Sequence, residues 1–317
     1  MKPSRPALFL FTLLLAASCY GQTVPKPVSK RTDGPKTSQS SLTSLPYGQA
    51  RLVTVAVVKK TGHDRQKLGS AVWVGNSGYL VTCEHVIRGI TEPLLVEIAY
   101  DPLIGTAGKM SVTLNDIRRA IAAKVVASDR DSDTAILLAA SKPSEVHGGR
   151  LTSGVAVETP QSPMAAKGAM LETDYPRPGD ALLLSGYPLV EVYMHVMQAG
   201  IATGLGFPTD NHSATGLRII LSLVSNPGNS GGPVLDTNGK VVALLEGNLT
   251  TPIRDQDGRQ MVACWRARLD PSGNPTRDPA GNPIPELTPC MENTGISFAV
   301  PAKYVVELAK KNNIDLR

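Results

Sequence analysis

The stretch Gly228-Asn-Ser-Gly-Gly-Pro233 decides the fold, because it places a serine in a glycine-flanked turn at the end of a predicted strand. Glycines on both sides let the backbone adopt strained dihedral angles and turn its N–H groups toward a substrate oxygen. Ser230 is therefore a candidate nucleophile. The stretch alone also fits the nucleophile turn of α/β-hydrolases. The positions of the candidate histidine and aspartate along the chain are needed to distinguish the possible folds.

The order of the candidate partners along the chain separates three arrangements of a catalytic serine. An α/β-hydrolase needs its histidine after the serine, but the five histidines, at positions 63, 85, 147, 195 and 212, all precede Ser230. The subtilisin order could be built from Asp64, His85 and Ser230, but it requires a parallel sheet with helices that the sequence does not predict. The order His-Asp-Ser remains.

The chain after residue 50 is a series of short β-rich runs separated by Gly, Pro, Asn and Asp, which is typical of an antiparallel barrel or sandwich. Strands are predicted at Leu52–Val58, Ser70–Val74, Tyr79–Thr82, Leu94–Tyr100, Ala123–Ala127, Ala135–Ala139, Ala181–Ser185, Gln198–Ala202, Leu217–Leu223, Lys240–Glu246 and Ile296–Val300. They form two groups, and one helix follows Pro301. We expect an all-β protein of two barrels with a C-terminal helix.

Two further segments supply the partners that the order His-Asp-Ser requires. A predicted hairpin starts at Gly69, turns at 76–78 and ends at His85. Asp133 lies just before the predicted strand 135–139, and Asp131 lies two residues earlier. The residues alone leave both aspartates open as the group that orients the histidine.

These segments together resemble the trypsin-like serine proteases, most closely the HtrA/Deg protease domain, here without the PDZ domain that usually follows it. The resemblance rests on the hairpin that ends in Leu80-Val-Thr-Cys-Glu-His-Val86, the run Asp133-Thr-Ala-Ile-Leu137, the Ser230 turn and Gly295-Ile-Ser-Phe-Ala-Val-Pro301, with Gly186-Tyr-Pro188 and Gln198-Ala-Gly-Ile201 between them. It covers about residues 50–312. It implies two six-stranded antiparallel β-barrels, as in chymotrypsin.

The resemblance also implies catalytic roles. His85 would be the general base, Asp133 would orient its ring, and Ser230 would be the nucleophile. The family places its aspartate directly before the strand, which favours Asp133 over Asp131. The backbone N–H groups of Gly228 and Ser230 would form the oxyanion hole. The implied function is an exported serine endopeptidase acting on proteins or peptides; the alternative is a non-catalytic protein-binding module on the same scaffold.

The substrate pocket of trypsin-like folds is walled by the run before the nucleophile and by the late strand. The corresponding residues here are Val224, Ile296, Ser297 and Phe298. Val224, six residues before Ser230, stands where a trypsin has its aspartate. Neither run contains a carboxylate, so we expect the pocket to accept a small or medium apolar side chain.

The first residues indicate export. Residues 1–21 have the features of a secretory signal peptide, and their apolar run, 7–17, is too short to span a bilayer. Cleavage near Gly21 and lipidation of Cys19 both stay open. Residues 22–48 are a polar, flexible leader. We expect a periplasmic or extracellular protein with no transmembrane segment in the mature form.

The net charge of +5 does not indicate a nucleic-acid partner. Residues 1–37 hold six basic residues against one acidic residue, so the remaining 280 residues are neutral in formal charge. Nucleic-acid binding requires basic residues clustered on the folded body. The four cysteines and five histidines show no metal-ligand spacing, so neither a metal nor an organic cofactor is expected.

We expect an N-terminal barrel over 49–165 and a C-terminal barrel over 166–317, the latter with an insertion at 249–290 where the family has a short loop. Cys264 and Cys290 bracket the turn-rich part of this insertion. Because export exposes thiols to oxidation, these two cysteines are predicted to form a disulfide.

Overall fold

The structure, a computed structural model, describes residues 45–61, 64–99, 118–141, 168–189, 195–207, 215–261, 264–268, 276, 278–279, 284–288 and 290–317. All of them fall within the unit Gln39–Arg317. The predicted signal peptide with Cys19, and the leader as far as residue 44, lie outside these ranges. Within them, none of the helices is long and apolar enough to cross a membrane.

The first six strands close into one antiparallel barrel in the order β1-β2-β3-β6-β5-β4. They are β1 (Thr54–Thr61), β2 (Asp64–Val74), β3 (Tyr79–Thr82), β4 (Leu94–Ala99), β5 (Arg118–Asp129) and β6 (Thr134–Ala139). Alternate residues of a strand point to opposite faces. Val55 and Val57 of β1 therefore join the barrel core around Trp73, while Ala56 and Val58 pack against Tyr187 of the C-terminal half. Burial on both faces explains why residues 55–58 of β1 are a continuous apolar run.

The second barrel closes in the order β10-β11-β14-β9-β8-β7, again antiparallel. Its strands are β7 (Ala181–Gly186), β8 (Val196–Gly206), β9 (Arg218–Ser222), β10 (Pro233–Leu235), β11 (Val241–Pro252) and β14 (Met291–Pro301). Two further strands, β12 (Cys264–Ala267) and β13 (Pro285–Thr288), pair with each other inside the predicted insertion. The expected pair of six-stranded barrels is confirmed.

Three helices accompany the barrels in the described part of the chain: α1 (Tyr47–Val53), the single turn α2 (Glu84–Ile87) and α3 (Ala302–Lys311). The predicted C-terminal helix is confirmed as α3, whose Val305, Leu308 and Ala309 are buried in the same core as Trp73. The helix that ends the second barrel thus packs against the first.

The strand prediction was wrong at the start of β1, and it missed β10, β12 and β13; for β1 and β10 the reasons are local. The predicted strand at 52–58 begins only at Thr54, because its first residues complete α1, where the Thr54 hydroxyl donates to the carbonyl of Ala50 at 2.6 Å. Strand β10 was missed. It has three residues, starts with Pro233 and follows two glycines, so it has neither the length nor the flanks of a recognisable strand.

Candidate active site

Sheet register brings His85 and Asp133 together. Strands β3 and β6 are paired, with Thr82 opposite Ala135. His85 lies on α2, directly after β3, and Asp133 lies directly before β6. Because the strands are antiparallel, the end of one meets the start of the other, and two residues that are 48 positions apart become neighbours.

His85 and Asp133 are joined at two points. The Nδ1 atom of His85 lies 2.7 Å from Oδ2 of Asp133, and the backbone N–H of His85 donates to Oδ1 at 2.8 Å. The second bond fixes the carboxylate plane relative to the helix that carries the histidine. Asp131, the other candidate, is exposed, and its carbonyl accepts a hydrogen bond from the backbone of Thr215. Of the two aspartates, Asp133 is the one in contact with His85.

The environment keeps Asp133 ionised although the residue is only 2% exposed. Burial raises the pKa of this carboxyl, but the hydrogen bonds and charge of His85 outweigh burial and hold the pKa below its ordinary value. The positive charge of Arg218 lowers the pKa further. A buried carboxylate in this state can both orient an imidazole and stabilise its protonated form.

Ser230 lies in the turn between β9 and β10, where the second barrel contacts the first. Its carbonyl accepts a hydrogen bond from the backbone N–H of Ser70 in the first barrel at 2.8 Å. Gly231 has φ = 79°, and a Cβ added there would lie 2.0 Å from Oγ1 of Thr82 and 2.3 Å from the carbonyl oxygen of Ser70. Only glycine fits, so the motif is needed for this close approach as well as for its dihedral angles.

Ser230 is also close to the segment that carries His85. A Cβ added at Gly69 would lie 2.8 Å from Cγ1 of Val86 and 2.9 Å from the carbonyl oxygen of Ser230. The residue after His85 and the backbone of Ser230 thus flank the same glycine. Within the described ranges, the hydrogen bond of the Ser230 hydroxyl goes to the carbonyl of Glu246, at 2.9 Å, and not to His85.

The residues predicted to line the substrate pocket divide between two faces. Ser297 is buried, and its hydroxyl lies 2.9 Å from that of Ser225, on the run that precedes the nucleophile. Ile296 and Phe298, its neighbours in β14, point to the opposite face. Val224 is 46% exposed. Ser225 had no distinguishing signal in the sequence.

The structure also contains a charged pair that no sequence pattern predicted. Arg218 of β9 is completely buried, and its Nε and Nη2 atoms donate to the carboxylate of Glu246 at 2.6 and 3.1 Å. Its Nη1 atom donates to the carbonyl of Gly216 at 3.0 Å. The backbone carbonyl of Glu246 is the one that accepts from Ser230. The two charged residues lie on strands separated by β14, so only the closed barrel makes them neighbours.

Cys83, two residues before His85, is a buried free thiol. Its Sγ donates a hydrogen bond to the carbonyl of Leu245 at 3.2 Å. Burial, with the charges of Asp133 and Glu246, raises the pKa of this thiol well above its ordinary value. One ligand atom each of Cys83, His85 and Asp133 lies within 4.8 Å of the others. A tetrahedral zinc ion would hold nitrogen and oxygen ligands about 3.3 Å apart. The 2.7 Å His–Asp hydrogen bond would have to break to admit one.

Cys290 is half of a disulfide. Cys264 belongs to β12, but its side chain lies outside the described residues.

Two antiparallel barrels with a His–Asp pair and a glycine-flanked serine at their junction define the class of chymotrypsin-fold serine peptidases. A family model, the trypsin-like peptidase domain, matches residues 69–244, more than half of the chain. The chain therefore belongs to this family.

Curated relatives are similar to part of the chain, and a solved structure shares its fold. A probable periplasmic serine endoprotease DegP-like of Marinomonas sp. (strain MWYL1) is 30% identical over 182 residues, which is 57% of this chain and 29% of the relative. Its counterpart in Hahella chejuensis (strain KCTC 2396) is 28% identical over 183 residues, 57% of this chain and 30% of the relative. The chain thus spans under a third of these relatives. The HtrA-type protease AlgW with decapeptide shares the fold, with a TM-score of 0.52, 19% identity, and coverage of 86% of this chain and 67% of that one.

We predict that breaking the buried Arg218–Glu246 pair on one side only is strongly destabilising. Arg218→Met should lower the free energy of unfolding by about 3–5 kcal/mol, because it leaves a carboxylate in the interior without its partner. The double variant Arg218→Met with Glu246→Leu should recover most of that loss, since it removes both charges. Urea denaturation measures both. The solvated pair of Lys240 and Glu172 is the control, and Lys240→Met should leave the unfolding midpoint unchanged. A double variant as unstable as the single one would contradict this account.

Proposed function

We propose that this chain is an exported serine endopeptidase that cleaves peptide bonds through an acyl-enzyme, with His85, Asp133 and Ser230 as its catalytic triad. The observation that carries the proposal is the two-point hydrogen bonding of His85 to a buried, ionised Asp133. The proposal is also supported by the position of Ser230 where the two barrels meet, with its carbonyl oxygen and Val86, the residue after His85, both next to Gly69.

In the proposed mechanism Asp133 holds His85 with Nδ1 as the donor, which leaves Nε2 free to accept a proton. The Ser230 hydroxyl turns from the carbonyl of Glu246 toward His85, and Oγ attacks the carbonyl carbon of the scissile bond as Nε2 takes its proton. The C–N bond then breaks, and His85 returns that proton to the leaving amine. Water hydrolyses the acyl-enzyme by the same two transfers and restores Ser230.

The charge that develops on the substrate oxygen would be stabilised by the backbone N–H groups of Gly228 and Ser230. Gly228 has φ = 93°. This is a left-handed backbone conformation that glycine adopts readily and other residues rarely adopt. Each donor in such a hole is typically worth about 3–4 kcal/mol of transition-state stabilisation.

Export is supported by the signal-peptide features of residues 1–21 and by the periplasmic relatives. Peptide substrates are supported by the family and by the AlgW structure, which contains a decapeptide. Acylation of Cys19 is proposed as the alternative to its removal with the signal peptide. Acylation would retain the enzyme at a membrane surface through a lipid chain instead of a transmembrane helix.

We predict that a fluorophosphonate probe labels the wild-type protein and that Ser230→Ala and His85→Ala abolish both labelling and peptidase activity. Asp133→Asn should keep the fold and lower turnover by roughly 10⁴-fold, because the imidazole would adopt the wrong tautomer. Asp131→Asn is the matched control and should retain wild-type turnover, since Asp131 is exposed and its backbone is hydrogen-bonded to Asp129 and Thr215.

Two results would overturn these assignments. A folded wild-type protein that stays unlabelled would favour the alternative function, a protein-binding module on a protease scaffold. Greater damage from Asp131→Asn than from Asp133→Asn would move the orienting role to the other aspartate.

The proposed substrate pocket combines Val224 with the face of β14 that carries Ser297, backed by Ser225. The hydroxyls of these two serines bond to each other, and that of Ser297 also donates to the carbonyl of Leu223 at 3.0 Å. No carboxylate occurs in 221–227 or 296–300 to balance a cationic substrate side chain. A buried aliphatic side chain gains about 1.5–3 kcal/mol, whereas an unpaired cation loses its hydration.

We predict preferred cleavage after small or medium apolar residues when the protein is profiled on a diverse peptide library. Val224→Asp should raise cleavage after Arg and Lys, because it places a carboxylate where the substrate side chain enters. Val224→Asn is the control: asparagine has the shape of aspartate without its charge, so this variant should not raise cleavage after Arg and Lys. Dominant cleavage after Arg or Lys by the wild-type protein would place the specificity elsewhere, for example in the insertion.

The insertion is proposed to be closed by a disulfide between Cys264 and Cys290. Two facts support the pairing: Cys290 is half of a disulfide, and Cys264 lies in register with Thr288, two residues before Cys290. Closing a loop of about 25 residues restricts the unfolded chain by roughly 3–4 kcal/mol.

We predict that mass mapping of non-reduced peptides finds Cys264 linked to Cys290 and Cys83 as a thiol. Cys264→Ser and Cys290→Ser should each lower the free energy of unfolding by that roughly 3–4 kcal/mol, and the double variant by no more than either single one. Recovery of both cysteines as free thiols would refute the pairing.

A further inference from the structure

The hydroxyl of Ser70, in β2 of the first barrel, forms a hydrogen bond to the proposed oxyanion turn. The residue is completely buried. Its hydroxyl donates to the carbonyl of Gly228 at 2.7 Å and accepts from the backbone N–H of Tyr187 at 2.8 Å. Its own backbone N–H donates to the carbonyl of Ser230 at 2.8 Å. A single serine thus holds both residues whose N–H groups would form the hole.

The contact with Tyr187 matters because the segment that starts there sets the direction of one proposed donor. The backbone N–H of Leu189 donates to the carbonyl of Pro227 at 2.6 Å. In a trans peptide the C=O and the following N–H point in opposite directions. The bond from Leu189 therefore turns the N–H of Gly228 away from Leu189. If the 187–189 segment moved, the Pro227–Gly228 peptide would lose this restraint.

Glycine has few intrinsic restraints at this point, so the turn depends on its hydrogen bonds. A Cβ added at Gly228 would lie 2.4 Å from the backbone nitrogen of Leu189 and 2.7 Å from the carbonyl oxygen of Tyr187. The turn and the 187–189 segment are therefore packed directly against each other, and the Ser70 hydroxyl bonds to both. The backbone carbonyl of Ser70 in turn accepts a hydrogen bond from the hydroxyl of Thr82 at 2.7 Å. This bond connects Ser70 to β3, the strand that ends before His85.

We infer that Ser70 is a positioning residue for the oxyanion hole: its hydroxyl joins the Gly228 turn to the 187–189 segment and keeps the proposed donors aimed at the substrate oxygen. This role rests on the proposed peptidase function. It differs from that of the triad, because Ser70 contacts neither the substrate carbonyl nor His85. The N–H groups of an oxyanion hole stabilise the transition state, in which the substrate oxygen becomes negative, much more than they stabilise the bound substrate. Loss of their alignment should therefore lower kcat more than it changes KM.

The test is Ser70→Ala, measured by kcat and KM on a peptide substrate and by the affinity for a peptide aldehyde, whose adduct with Ser230 carries the oxyanion. We expect kcat to fall by about 10- to 100-fold with KM changed less than about threefold, and aldehyde affinity to fall by a factor similar to that of kcat. The acid limb of the pH profile should not move, since the His85–Asp133 pair is untouched.

Thr54→Val is the matched control. Thr54 is also a completely buried hydroxyl in the first barrel, bonded to the carbonyl of Ala50 and to Ser185. Its loss should affect thermal stability about as much as Ser70→Ala and leave kcat unchanged. If Ser70→Ala does not fold, Ser70→Cys keeps the volume with a weaker donor and should show the same selective loss of kcat to a smaller degree.

Three outcomes would overturn the inference. They are wild-type kcat in the Ser70 variant, a loss of kcat that is matched by Thr54→Val, or a shift of the acid limb that places the defect in the His85–Asp133 pair. Failure of the peptidase proposal is distinguishable from these outcomes, because the wild-type protein itself would then not react with the fluorophosphonate probe or the aldehyde.

Discussion

The contact between the Ser230 turn and the strands of the first barrel is the constraint on which the site depends. Gly231 lies so close to Thr82 and Ser70 that no side chain fits. The backbone N–H of Gly231 donates to the carbonyl of Leu245 at 2.7 Å, and the thiol of Cys83 donates to the same carbonyl. One carbonyl of the second barrel thus binds a residue from each side of the junction. The histidine and the serine belong to different barrels, so their relative position is only as fixed as this contact.

The same junction concentrates buried charge. Asp133 and Arg218 are almost or completely inaccessible, and an isolated charge in such a place would be very unfavourable. Each has a partner: Asp133 accepts two hydrogen bonds from His85, and Arg218 donates two to Glu246. The positive field of Arg218 also reaches Asp133 and lowers its pKa. Because Asp133 and Arg218 are buried, their charges act at a lower effective dielectric than at the surface and interact more strongly with their partners.

How far the sequence could predict this site depends on whether a feature is local. The Ser230 turn, the hairpin before His85 and the aspartate before β6 are short segments with their own signatures, so both barrels and these candidate residues could be proposed from them. The Arg218–Glu246 pair could not, because its members come from strands that meet only through barrel closure. Which face of β14 lines the proposed pocket depends on register, and strand β10 was too short to recognise. The hydroxyl of Ser70 has two bonding partners more than 100 residues away, which no local pattern encodes.

Backbone strain at the junction follows from the same arrangement. Asp133 is one of two non-glycine residues with positive φ in the described ranges, at 56°, and Gly228 and Gly231 have φ of 93° and 79°. A left-handed aspartate costs of order 1–3 kcal/mol and persists only where its surroundings over-determine it. Here the backbone N–H and ring of His85 bind both carboxylate oxygens. The turn of Gly228 is held from the other barrel by Ser70. The strained residues of the site are therefore the ones held across element boundaries, and their geometry depends on the closed pair of barrels rather than on any single element.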